Sequence, residues 1–117
     1  MNLVTIVLNK TEILEKLLRA FVENDIKGAT IIESAGMARV LSEESGISFI
    51  NSLKLILDPD IETSKTIFLV ADDNKVPVIS KVLNEVTGGL DKPDTGIMFC
   101  TPVTYVEGIN SEVKKRL

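Results

Sequence analysis

Histidine and tryptophan are missing from this 117-residue chain, and cysteine and tyrosine occur once each. Without histidine there can be no Ser-His or Cys-His nucleophilic pair. With Cys100 as the lone thiol as well, a zinc site of the usual donor set cannot be assembled. A single cysteine also rules out an intrachain disulfide, which fits a cytoplasmic protein. Aromatic residues make up 4% of the chain, so the core must be aliphatic. No apolar run reaches the ~20 residues that span a bilayer, so no direct membrane insertion is expected. The start, Met1 to Thr5, lacks the basic region of a signal peptide. Excess positive charge is lacking too. At a net charge of −4 the chain has no basic surplus with which to bind nucleic acid.

What is present suffices for one compact domain over residues 1–117, since 44% of the residues are hydrophobic. Leu3 to Leu8 is an apolar run and reads as a strand. Asn9 is placed to cap the next helix, with Glu12 at the reciprocal capping-box position. Ile13, Leu14, Leu17, Leu18, Phe21 and Val22 then recur at helical spacing. Asn24-Asp25 ends that helix, and Gly28 opens a second strand. The segment 42–64 is a long excursion. Within it, residues 48–57 predict a short amphipathic helix with Phe49, Ile50, Leu53 and Leu57 on one face, stopped by Pro59. Thr66 to Ala71 is a third strand, and Asp72-Asp73-Asn74 a turn. Pro77 suits the first turn of a second helix, which Gly88-Gly89 ends. Ile97 to Val103 is a fourth strand, and Pro102 marks it as an edge strand or a bent one. Residues 105–109 suggest a small extra strand. Cys100 reads as a buried small hydrophobe.

The order strand, helix, strand, excursion, strand, helix, strand is the βαββαβ pattern of a ferredoxin-like α+β sandwich. Two helices should cover one face of a four-stranded antiparallel sheet. Such a sheet alternates apolar and polar when its second face is in water. Residues 3–8 and 66–71 hardly alternate, with Thr5 and Thr66 as their polar members. The second face is therefore expected to be covered, and oligomerisation is the economical means.

The candidate site begins after the second strand, at Gly36-Met37-Ala38-Arg39. The small residues admit a close approach of backbone and ligand. Arg39, one of three arginines, supplies a cation where the strand ends. An ordinary strand exit with a solvated arginine explains the same residues. Gly88 and Gly89 read as a helix stop or as a ligand loop, and Gly96 as a tight strand entry. Asp91 and Asp94 read as solvated loop carboxylates.

Four features together resemble the PII family of signalling proteins. They are the βαββαβ order with its long excursion, Gly36-Met37-Ala38-Arg39 at the base of a T-loop-like insertion, Thr87-Gly88 opening a B-loop, and Asp94-Thr95-Gly96-Ile97-Met98-Phe99. The resemblance implies a homotrimer whose intersubunit clefts take ATP, ADP or AMP, and a T-loop that docks on a partner protein. It implies regulation of nitrogen or carbon metabolism and no catalysis. By this resemblance Gly36, Met37, Ala38 and Arg39 line the cleft from one side. Thr87, Gly88, Gly89 and Gly96 line the same region, and Val7 forms an apolar wall. The sequence also departs from the family. The T-loop tyrosine has no counterpart, Ile97 replaces the B-loop lysine, and residues 105–109 lack the usual basic pair. Each missing charge-assisted hydrogen bond forfeits about 1.5–3 kcal/mol, so weak binding that does not favour ATP is expected.

Other functions share this strand order. An acylphosphatase-like enzyme needs a phosphate-cradling loop with arginine after the first strand, and residues 8–11 offer none. An RNA-recognition module needs a basic face and exposed aromatics on the central strands, where Phe68 stands alone. A structural or metal- and anion-tolerance trimer of the same shape is the remaining rival.

Overall fold

A computed structural model describes residues 1–37 and 63–108. Four strands, β1 (Asn2–Leu8), β2 (Thr30–Ser34), β3 (Ser64–Ala71) and β4 (Gly96–Pro102), form one antiparallel sheet in the order β2-β3-β1-β4. Helix α1 (Leu14–Glu23) follows β1 and helix α2 (Val76–Thr87) follows β3. The fold is α+β, compatible with the ferredoxin-like sandwich. The predicted helix over 48–57 lies outside the described residues.

The strand pattern decides which face the helices cover. Val4, Ile6 and Leu8 alternate along β1, and Ile67, Leu69 and Ala71 along β3. Register places Val4 opposite Leu69 and Ile6 opposite Ile67, so these side chains share one face. They are buried against Leu17 and Phe21 of α1 and Ile79, Val82 and Leu83 of α2. Each such aliphatic side chain contributes about 1.5–3 kcal/mol by leaving water.

Helix ends follow local chemistry. Asp25 adopts a left-handed φ of 59°. The Ile26 amide can then donate to the Phe21 carbonyl at 2.8 Å, and the Asp25 amide to that of Val22 at 3.0 Å. This is a Schellman closure, and its hydrophobic pair, Ile26 and Phe21, lies in the core. Gly88, at φ 88°, ends α2 in the same left-handed region.

Several local expectations are corrected. Asn9 and Glu12 do not form a capping box. Helix α1 is entered through a 3-10 turn, Thr11–Ile13, and neither the turn nor the helix has a side-chain N-cap bond. The Asn9 and Lys10 amides instead donate to the Thr95 carbonyl, at 3.0 and 3.3 Å. Strand β2 begins at Thr30, two residues after Gly28. Residues 103–108 contain no strand. Cys100 is exposed, because β4 is an edge strand and the helices pack over β1 and β3. Pro102 does sit on that edge strand, where a missing amide costs least.

Candidate functional site

Four strand ends meet at one end of the sheet. Leu8 is opposite Lys65 and Gly96, and Ser34 is opposite Ser64. The close of β1 and β2 and the start of β3 and β4 therefore lie together. The C-terminus of α2 reaches the same end, because Lys10 Nζ donates to the Thr87 carbonyl at 3.3 Å.

The candidate residues divide into two groups there. Val7, Thr87, Gly88, Gly89 and Gly96 gather on the β1–β4 side. Gly96 needs its missing side chain, since at φ 153° a Cβ would lie 2.5 Å from the Val7 carbonyl oxygen. Gly89, at φ 121°, has the Asp91 carboxylate where its Cβ would stand. Thr87 is 2% exposed. Its hydroxyl donates to the Leu83 carbonyl at 2.7 Å and accepts from the Gly89 amide at 3.3 Å. The Asn84 side chain accepts from the Leu90 amide at 2.9 Å. This turn is thus fully accounted for by ending α2 and entering β4.

Gly36 and Met37 sit on the other side, beyond the end of edge strand β2. Met37 is 77% exposed. A Cβ on Gly36 would meet nothing within 4 Å among the described residues, and its φ is not positive. Nothing among the described residues demands glycine there. Ala38 and Arg39 lie outside the described residues. Strands β2 and β4 are the two sheet edges, separated by three interstrand spacings, or about 14 Å. The described members of the two groups share an end of the sheet and stand on different sides of it.

Sequence reading missed two features of this end. The first is Lys10, whose ammonium lies against the last-turn carbonyl of α2, a favourable place for a cation. Its position directly after β1 was the available signal. The second is a hydroxyl cluster. Ser34 Oγ lies 2.8 Å from Ser64 Oγ and 2.7 Å from Thr66 Oγ1. The signal was small hydroxyl residues at both feet of the β2–β3 pair. Beside it, Lys65 pairs with Glu33, which also accepts from Thr63 Oγ1 at 2.8 Å.

The face of the sheet opposite the helices adjoins this end. Val7, Thr66, Phe68, Ile32, Ile97 and Phe99 point to it by register. Ile32 is 48% exposed, Ile97 56% and Phe99 48%. No described strand residue on this face is charged. The charged strand residues, Glu33 and Lys65, belong to the helix-covered side, in register with Ile31 and Leu8. Among the described residues there is no cluster of three or more His, Cys, Asp or Glu that could hold a metal, and no helix long and apolar enough to cross a membrane. The chain matches no protein-family model and no curated protein by sequence.

Proposed function

We propose that this chain is a non-catalytic signal-transduction protein of the PII-like kind. It acts as a homotrimer in the cytoplasm, and the exposed thiol of Cys100 suits a reducing compartment. It takes an adenine nucleotide, ATP, ADP or AMP, in clefts between subunits. The 42–64 segment carries the signal to a partner enzyme, transporter or regulator of nitrogen or carbon metabolism.

One observation carries this reading. Of the residues that the resemblance assigns to a single ligand cleft, Gly36 and Met37 follow edge strand β2, whereas Val7 and Gly96 lie on the β1–β4 side of the same end of the sheet. The two groups come together where the β2 side of one copy meets the β4 side of another. The uncharged second face, with Ile32, Phe68, Ile97 and Phe99 among its side chains, offers the surface for that meeting. Gly36 supports the same reading, because its fold-independent lack of a side chain leaves room for a neighbour or ligand.

Thermal-shift measurements with ATP, ADP, AMP, 2-oxoglutarate and divalent cations test the proposal. A sensor gains stability with at least one nucleotide, by mass action. A trimer unresponsive to all of them is a structural assembly. Isothermal titration of wild type and Arg39→Ala then tests the phosphate end. Weak binding that hardly distinguishes ATP from AMP, and is lost in Arg39→Ala, is the expected result. Tight ATP-selective binding that survives Arg39→Ala overturns it.

A further inference from the structure

Four polar side chains are buried among the described residues: Thr5, Ser64, Thr87 and Thr95. Three have partners. Ser64 bonds with Ser34 at 2.8 Å, Thr87 with the Leu83 carbonyl at 2.7 Å, and Thr95 with the Pro93 carbonyl at 3.4 Å. Thr5 differs. It is 6% exposed, and its hydroxyl has no hydrogen bond to any described residue. A buried hydroxyl left unpaired costs about 1–3 kcal/mol, so its partner must be sought elsewhere.

The position of Thr5 says where. It stands in the middle of β1, a central strand, on the face away from the helices. Phe68 is directly opposite it on β3 and Phe99 on β4. This unpartnered hydroxyl is therefore set between two phenylalanines on an uncharged face. A nucleic acid or an anionic bilayer would require cations that the face lacks. A second copy of this chain requires none, and it meets no like-charge repulsion on contact.

We infer that Thr5 specifies the number of subunits: copies of the chain meet through this face, and their Thr5 hydroxyls bond to one another around the symmetry axis. Each hydroxyl has one proton to donate and can accept one in return. Three of them around a threefold axis close a ring in which every proton is used. Two around a twofold axis form one bond and leave a proton over. The surrounding apolar side chains supply attraction without selecting either arrangement. A single buried polar position that selects an oligomeric state is a recognised use of polar groups in apolar interfaces. This inference rests on the trimer proposed above.

Native mass spectrometry and multi-angle light scattering on the full chain test it, with circular dichroism to verify folding. Wild type and Thr5→Ser should each give a single trimeric species. Thr5→Val and Thr5→Ala remove all three hydroxyls together, which costs little affinity. At least one of them should fold, and it should yield mixed stoichiometries in place of one. Phe99→Lys puts charge into the apolar contact and should give monomer. A monomeric wild type overturns the trimer reading and this inference with it, whereas a trimer that survives Phe99→Lys meets through another surface and overturns this inference. Dissociation by Phe99→Lys alongside a sole trimer in folded Thr5→Val or Thr5→Ala overturns the Thr5 inference alone.

Discussion

The two faces of the sheet are built from the same strands yet end in different states. On the helix side Val4, Ile6, Leu8 and Ile67 are all 0% exposed. On the other side Ile32, Ile97 and Phe99, all on edge strands, keep about half their surface, and Ile31 at the edge of the helix side keeps 40%. Side-chain chemistry hardly separates the two sets. Two helices can cover only one side of a four-stranded sheet, and here they lie over its central strands. The difference teaches that the described part of the chain carries more apolar surface than it buries.

Disrupting the covered face should have the largest effect. Phe21→Ala removes a ring that is 2% exposed and should cost about 3–5 kcal/mol, read as a lower urea midpoint at every protein concentration. A cost under about 1 kcal/mol would mean that the helix side is not the main core.

The open face should respond differently. The unfolding midpoint of wild type should rise with protein concentration, because assembly binds only the folded chain. Phe99→Lys should abolish that dependence while leaving the far-ultraviolet circular dichroism unchanged. An unaltered dependence would place the association surface elsewhere.

The two glycine groups sharpen the comparison. Gly96→Ala forces a Cβ toward the Val7 carbonyl at an unfavourable φ and should cost about 1–3 kcal/mol. Gly36→Ala meets open space and should change stability by no more than about 0.5 kcal/mol. Its effect should appear instead in the nucleotide thermal shift. A large stability loss in Gly36→Ala would make that glycine structural.

The smallest effect belongs to a residue outside the sheet. Tyr105 is 73% exposed, and its hydroxyl donates to the Glu107 carboxylate. That bond holds the phenol above its ordinary titration range. As the sole tyrosine in a chain without tryptophan, it can be followed directly by ultraviolet absorbance. Glu107→Gln should lower the midpoint toward the ordinary value, and an unmoved midpoint would dismiss the contact.

The fold was largely legible because its signals are local. Ile13, Leu17 and Phe21 mark a helix by spacing, Pro77 and Gly88 bracket another, and Pro102 marks an edge. The failures were of two kinds. Asn9 and Glu12 match a capping box, but the Asn9 amide is drawn to Thr95, 86 residues along the chain. Cys100 looks apolar enough to bury, yet its exposure depends on where the helices stop. The candidate site was legible as residue types but not as a place. Gly88, Gly89 and Gly96 proved to have reasons within their own turns, whereas Gly36 did not.

Residue order alone determined the element sequence, the aliphatic core and the excess of apolar strand residues. Each follows from spacing and composition within a few residues. Tertiary structure decided which strands became edges, which face the helices took and which buried hydroxyl was left without a partner. These depend on pairings between residues far apart in the chain, such as Thr5 with Phe68 and Phe99. Periodicity can show that Thr5 interrupts an apolar run. Only the register of three strands shows that it lies at the centre of an uncharged face, with no hydrogen-bond partner among the described residues.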